Sequence, residues 1–139
     1  MLTHQVHTRF GDSDQLQHMH HLTYAEWFEE ARNPIFQWFN PKFDLNTWNL
    51  ILVHIELDYL GQVHFSDQDI EIRSWISHIG NSSFTVAQAA YKKDGSCAAT
   101  GKCVLLYFDF EKQKGVTVPP ELRKKLEEHY DPDAPHKQA

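Results

Sequence analysis

Apolar side chains recur at helical spacing between residues 24 and 39, and this stripe is the strongest pattern in the chain. Its members lie three or four residues apart, the spacing of one helix face: Tyr24, Trp27, Phe28, Ala31, Ile35, Trp38 and Phe39. Thr23 followed by Glu26 has the form of a capping box and predicts that the helix begins at Thr23. Pro34 removes a backbone donor, so the helix either kinks there or ends before a second short turn.

Most of the remaining chain alternates with the period of β-strands. The clearest case is the segment that starts at residue 51, whose apolar face carries Ile51, Val53, Ile55, Leu57 and Tyr59. Further strands are predicted over residues 5–10, 70–79, 84–90 and 103–110. A bulge is expected near Ser74-Trp75, a hairpin turn at Asp94-Gly95 and a short helix from Pro119-Pro120.

The order of these elements is a strand, a long helix and four strands joined mainly by hairpins. Hairpins make a sheet antiparallel, and the helix must bury its apolar face against that sheet. We therefore predict an α+β fold in which a mostly antiparallel five-stranded sheet wraps a long central helix over residues 1–130. Residues 131–139 are polar, contain two prolines and are expected to be disordered.

Composition narrows the class of protein. The chain has 139 residues, the size of a single domain, and a net charge of -6, which argues against nucleic acid as a partner. It has no apolar run long enough to span a membrane and no signal peptide, so we expect a cytoplasmic protein. Cys97 and Cys103 lie roughly 20 Å apart if one strand holds both. A disulfide between them is therefore excluded, and two free thiols are expected.

The densest polar chemistry precedes the helix. Residues 12–21 contain two carboxylates and three imidazoles: Asp12, Asp14, His18, His20 and His21. A loop at this place lies beside the unpaired N–H groups of a helix N-terminus, which stabilise developing negative charge. A carboxylate there can attack a carbonyl or deprotonate water, and a nearby histidine can assist it. Composition and spacing alone do not select one reaction.

The segment resembles a known family. Asp12-Ser13-Asp14, His18-Met19-His20-His21, Tyr24 and Glu29-Glu30-Ala31-Arg32 are similar to the motif of the hotdog-fold acyl-CoA thioesterases, in the 4-hydroxybenzoyl-CoA thioesterase-like branch. The segments Ile79–Phe84 and Val118–Leu122 resemble later parts of that pattern, so the likeness spans residues 5 to 128. Two positions depart from it: Gln17 stands where the family has glycine, and His20-His21 replaces its usual asparagine pair.

The resemblance implies the hydrolysis of an acyl-CoA thioester without a cofactor or metal. Asp14 matches the catalytic carboxylate, as nucleophile or as general base for water, and His21 matches a second catalytic position. The implied substrate-binding residues are His18, His20, Tyr24, Ser82 and Ser83. The plainer interpretation is that the two histidines orient the loop, Tyr24 packs in the core and the serines form a turn.

The family also implies an assembly, because its sites form across a dimer, so a homodimer or homotetramer is expected. Two alternatives to the acyl-CoA hydrolase stay open. One is a thioesterase acting on an acyl carrier protein, although the acidic net charge disfavours an acidic carrier. The other is a non-catalytic hotdog protein that binds acyl groups or serves in assembly. Acyl chain length and the preference for aromatic or aliphatic groups are left open by the sequence.

Overall fold

The computed structural model describes all residues from 1 to 139. Its helices are α1 (His21–Ala31), α2 (Asn33–Phe39) and α3 (Pro120–Glu127). Its strands are β1 (Leu2–His7), β2 (Leu50–Tyr59), β3 (Asp69–Ile79), β4 (Ser83–Tyr91), β5 (Cys97–Asp109) and the two-residue β6 (Lys114–Gly115). None of the helices has the length and apolar composition needed to cross a membrane.

The five long strands form one antiparallel sheet in the order β1-β3-β4-β5-β2, and β6 pairs with the end of β5. Hairpins join β3 to β4 and β4 to β5, whereas β2 reaches its place beside β5 from across the sheet. Helices α1 and α2 cover one face of this sheet, which we call the inner face. The α+β class and the antiparallel sheet predicted from the sequence are confirmed.

The central helix differs from the prediction at its start and near its middle. It begins at His21 rather than Thr23, because the Nδ1 atom of His20 accepts the Leu22 N–H at 3.2 Å and caps the first turn. It ends at Ala31, and α2 starts beyond Arg32 with Pro34 in its first turn. Proline is tolerated in a first turn since the N–H it lacks has no partner there. Of the two alternatives left open at Pro34, the structure has the second.

Two bulges change which side chains share a face. The bulge in β3 lies between Ile76 and His78, two residues beyond the predicted site. A second bulge, in β2 between Leu52 and His54, was not predicted. An extra residue reverses the alternation, so Ile51 lies on the opposite face from Ile55, Leu57 and Tyr59, contrary to the single face predicted. Both cysteines lie on β5 as free thiols, which confirms that prediction.

The core fills the space between the helices and the inner face. One cluster packs α1 against β3 and β4, with Phe28 only 1% exposed. The second packs α2 against β4 and β5 and is closed by Leu126 of α3. Between them lies a buried polar group: Arg32 Nη1 donates to Gln88 Oε1 at 3.0 Å, and Gln88 Nε2 donates to the Phe28 carbonyl at 2.9 Å. This contact fixes the end of α1 against β4.

Residues 131–139, expected to be disordered, lie instead along the outer face of the sheet. The Asp131 N–H donates to the Ile76 carbonyl at 2.8 Å. Ala134 is 2% exposed, within a cluster that also contains Trp75, Ala87, Ala89 and Tyr91. The polar composition of the tail concealed this packing, because its contacts use Ala134, the His136 ring on Trp75 and backbone groups that any sequence possesses.

The second core cluster gives a direct test of the packing. Phe84 is fully buried and stacks on Phe39, with ring centroids 5.4 Å apart. We expect Phe84→Ala to lower the free energy of unfolding by about 3–5 kcal/mol, because it leaves a cavity that the core fills incompletely. Urea denaturation measures this loss. Phe110→Ala is the matched control, since Phe110 is 49% exposed and its loss should change stability by about 0.5 kcal/mol.

Candidate active site

The loop that carries the predicted chemistry is held against the connection between β2 and β3. The Met19 N–H donates to the Val63 carbonyl at 2.7 Å, and the Thr8 N–H donates to the Gln68 carbonyl at 2.7 Å. The loop therefore has fixed backbone partners at both ends, although it has little regular structure of its own. It delivers residues 12–21 to the N-terminus of α1 at one end of the sheet.

Asp14 is exposed and is anchored through one oxygen only. Its Oδ1 atom accepts the N–H groups of Leu16 at 2.8 Å and His18 at 3.2 Å, which closes a tight turn around the carboxylate. Its Oδ2 atom accepts no hydrogen bond from the chain. The carboxylate is thus oriented by the loop, with one oxygen left to meet a ligand.

Asp12 differs from Asp14 because its charge is already paired. Arg9 donates to both of its oxygens, with Nε to Oδ2 at 2.8 Å and Nη2 to Oδ1 at 3.1 Å. A cleft of about 340 Å³ between β1 and α1 is lined by Asp12 but not by Asp14. This fork-shaped ion pair gives Asp12 a structural role in the loop.

The start of α1 brings two histidines together. The rings of His20 and His21 stack with centroids 4.2 Å apart, and both side chains are exposed. His20 is occupied as the helix cap, and its own N–H donates to the Asp12 carbonyl at 2.7 Å. The N–H of His21 has no acceptor in the chain, so it is a free donor at the positive end of the helix dipole.

His18 meets a histidine that the sequence did not single out. His18 and His64 form an antiparallel bridge, and their rings pack edge to face with centroids 4.7 Å apart. Forty-six residues separate them, and no sequence motif marks His64 as a member of this site. The chain assembles no set of three or more histidine, cysteine, aspartate or glutamate side chains placed to hold a metal ion.

Tyr24 lies in the core beneath this loop. It is 4% exposed, and its hydroxyl accepts the Val63 N–H at 3.2 Å. Burial raises the pKa of this hydroxyl above its usual value. Tyr59, at the end of β2, packs edge to face on Tyr24 and donates to the His21 carbonyl at 3.0 Å. Tyr59 is a second member that sequence analysis missed, since its alternation marked it only as a strand residue.

Ser82 and Ser83 lie far from this loop within one chain. They form the turn into β4, where the Ser83 carbonyl accepts the Gly80 N–H at 2.7 Å. The Asp14 loop lies near the other end of β4, beyond Tyr91. A nine-residue strand separates the two ends by roughly 25–30 Å. Asp14, His18, His20, His21 and Tyr24 therefore form one cluster in the chain, and the two serines form another.

Gln17, which stands where the family motif has glycine, has the backbone conformation that a glycine would adopt. Its φ is 65°, in the left-handed region that glycine adopts without penalty. The residue therefore keeps the backbone conformation of a glycine at a cost of about 1–2 kcal/mol. The Gln17 N–H donates to the Asp14 carbonyl at 3.0 Å, so this conformation helps to close the turn around the carboxylate.

Comparisons with known proteins identify relatives of this chain. The family model of the thioesterase-like superfamily matches residues 8–126. The chain is 26% identical over 131 residues to the long-chain acyl-CoA thioesterase FadM of Escherichia coli (strain K12), covering 89% of this chain and 96% of that protein. It is 27% identical over 113 residues to the uncharacterized protein YsmA of Bacillus subtilis (strain 168), covering 81% of this chain and 76% of that one.

Solved structures show the same architecture. A predicted thioesterase from Bacillus stearothermophilus superposes with a TM-score of 0.89 at 28% identity, over 96% of this chain and 98% of that one. A thioesterase from Thermus thermophilus, complexed with coenzyme A and Zn, has a TM-score of 0.78 at 24% identity, over 90% and 96% of the two chains. These matches confirm the hotdog fold expected from the sequence motifs. Because the family match spans most of its length, this chain belongs to the thioesterase-like superfamily.

Proposed function

We propose that this protein hydrolyses acyl-CoA thioesters to a free acid and CoA, with Asp14 as the reacting carboxylate. The observation that supports this most directly is the asymmetry of that side chain. Two loop N–H groups hold Oδ1, while Oδ2 accepts no hydrogen bond from the chain, in the loop that leads into α1. Membership of the superfamily and the likeness to FadM support thioester hydrolysis in general.

The chemistry needs a group that supplies or activates a nucleophile and a donor for the carbonyl oxygen. In one route, Asp14 Oδ2 takes a proton from water as the oxygen of that water attacks the thioester carbon. In the other, Oδ2 attacks the carbon itself, forming a mixed anhydride that water then hydrolyses. Both routes release CoA thiolate, and in both the carbonyl oxygen gains negative charge that a free N–H can stabilise. The N–H of His21 is the donor we assign.

The imidazole of His21 completes the proposed site. It lies exposed at the first position of α1, stacked on His20, so it can orient a water beside the carboxylate or return a proton to the leaving thiolate. His18 and His20 act on the backbone of the loop: His20 caps the helix, and His18 packs on His64. We propose that Tyr24 supports the acyl pocket from beneath.

We also propose that the chain acts as a homodimer joined through β2. This strand is one edge of the sheet, ten residues long, and no other strand covers its free side. Its large apolar residues are exposed: Leu52, Val53, Ile55 and Tyr59 at 45, 54, 43 and 49%. The other edge, β1, is shorter and carries two histidines. A long apolar edge is unstable in water and pairs readily with another strand.

Two-fold pairing of β2 with itself is antiparallel, because a two-fold axis reverses the strand direction. The Tyr59 end of one chain then lies beside the Leu50 end of the second copy. Ser82 and Ser83 lie at that second end of the sheet, since Ser83 pairs with Leu106 and Leu106 pairs with Ile51. In the proposed dimer, the end of the sheet that carries Ser82 and Ser83 therefore lies toward the Asp14 end of the other chain. Within one chain Asp14 is exposed and does not line the cleft between β1 and α1.

Asp14→Asn tests the catalytic assignment. We expect thiol release from a panel of short, long and aromatic acyl-CoAs to fall about 10²- to 10⁴-fold, because an amide is neither a base nor a nucleophile. Asp12→Asn is the matched control, the same change two residues away in a carboxylate already paired with Arg9. Its rate should stay within a few-fold of wild type. Equal rates for wild type and Asp14→Asn would remove Asp14 from the mechanism, and no turnover of any acyl-CoA would favour an acyl-binding protein or a carrier-protein thioesterase.

Ile55→Lys tests the dimer. A charge in the middle of the exposed apolar edge should reduce the mass measured by analytical ultracentrifugation from dimer to monomer. His54→Lys is the control, because His54 points to the other face of the same strand and its side chain is 59% exposed. A wild-type protein that sediments as a monomer, or an Ile55→Lys variant that stays dimeric, would contradict pairing through β2.

A further inference from the structure

The connection between β2 and β3 contacts the Asp14 loop, residues 12–21, with a histidine ring. This connection runs over residues 60–68. His64 lies within it, half-buried, and its ring meets the His18 ring edge to face, with centroids 4.7 Å apart and an angle of 74° between the ring planes. None of the proposed chemical steps uses His64, although it touches the loop that carries the reacting carboxylate.

His64 is itself held in place by charged side chains. Its N–H donates to Asp67 Oδ2 at 2.7 Å. Lys92, the residue after β4, lies with its Nζ atom 3.3 Å from the same oxygen and also donates to the Gln62 carbonyl at 3.2 Å. The side chains of Asp67 and Lys92 are 23% and 21% exposed, so water and salt screen this ion pair only in part. The backbone of His64 is therefore fixed to the end of β4.

His18 connects this ring to Asp14 through two hydrogen bonds. The His18 N–H donates to Asp14 Oδ1 at 3.2 Å, and the Asp14 N–H donates to the His18 carbonyl at 2.8 Å. The first bond is longer than the 2.8 Å bond from the Leu16 N–H to the same oxygen. It lies at the long end of the range for N–H···O bonds, so a small displacement of His18 weakens it. A contact made outside the loop can thus change the direction of the carboxylate.

We propose that His64 is a positioning residue for Asp14: its ring seats the His18 ring, and His18 in turn fixes the direction of the free Oδ2 atom. The proposal rests on the proposed function, because it requires Asp14 to be the reacting group. The hydrogen bonds that Asp14 Oδ1 accepts come from the loop and not from His64, so His64 acts through His18. Edge-to-face packing is a preferred geometry of two rings, and it needs the shape of the His64 ring rather than its proton.

His64→Ala and His64→Phe together test this role, because alanine removes the ring and phenylalanine keeps one. With the acyl-CoA that the wild type hydrolyses fastest, we expect kcat of His64→Ala to fall about tenfold, since the carboxylate is misplaced. KM should stay within about twofold, because the ring contacts the loop and not the substrate. His64→Phe should restore kcat to within about threefold of wild type. His7→Ala is the matched control and should keep the wild-type kcat: the His7 side chain ends β1, is 76% exposed and pairs with Asp69 rather than with the loop.

Amide hydrogen exchange, measured by NMR, gives a second readout that needs no activity. The His18 N–H donates to Asp14 Oδ1, so we expect it to exchange about tenfold faster in His64→Ala and at the wild-type rate in His64→Phe. The Met19 N–H is the internal reference. It donates to the Val63 carbonyl and should keep its wild-type exchange while the loop stays docked.

The opposite results overturn the proposal. Unchanged kcat in His64→Ala, or a raised KM at unchanged kcat, removes His64 from the positioning of the carboxylate. Equal losses in His64→Ala and His64→Phe assign the effect to the imidazole and not to ring packing. Unchanged exchange of the His18 amide breaks the link to Asp14, and faster exchange of Met19 as well indicates a loop that has come loose as a whole. Wild-type rates in Asp14→Asn, or no turnover of any acyl-CoA, overturn the proposed function instead, and exchange of the His18 amide then still decides whether His64 seats His18.

Discussion

The packing of α1 against the inner face of the sheet sets the geometry on which the other features of this molecule depend. At Gly101 an added Cβ would lie 2.8 Å from Leu57 Cδ2 and 3.1 Å from the ring of Phe28. An added side chain would have to displace Leu57 and the Phe28 ring, so the glycine lets Phe28 of α1 pack directly on the backbone of β5. The buried contact between Arg32 and Gln88 then fixes the helix lengthwise, because a buried guanidinium that lost this acceptor would be strongly unfavourable. Position and register of α1 are thus both determined by the inner face.

A helix fixed in this way presents its N-terminus at a defined place. The loop before it is held to the β2–β3 connection by backbone hydrogen bonds, and Tyr59 donates to the first carbonyl of the helix. The position of the loop therefore depends on distant parts of the chain, while the N–H groups of Leu16 and His18 within the loop orient the Asp14 carboxylate. The strained conformation of Gln17 belongs to the same arrangement, since the turn around Asp14 requires it and the surrounding contacts stabilise it.

Two faces and one edge of the sheet differ in how far they are covered. The inner face is covered by helices, and the outer face by the chain's own tail. The β2 edge is long, apolar and uncovered. The uncovered edge is where we propose that the dimer forms, whereas the outer face is already covered within the chain. The uncovered edge and the covered face both reflect how much apolar surface a chain of this size can bury within itself.

The sequence by itself determined the class of fold and the segment of chemical interest. Helical and strand periodicities report which side chains must leave water, so the stripe from Tyr24 to Phe39 and the alternating strands could be recognised locally. The motif around Asp14 likewise lies within one short stretch. The tertiary structure alone decided the helix start at His21, the bulge that turns Ile51 away, the pairing of His18 with His64 and the packing of residues 131–139. The helix start depends on a local cap by His20, and the other three rest on hydrogen bonds or contacts between segments distant in sequence, often through backbone groups that are the same for every residue. Side-chain patterns along the chain therefore contain no record of them.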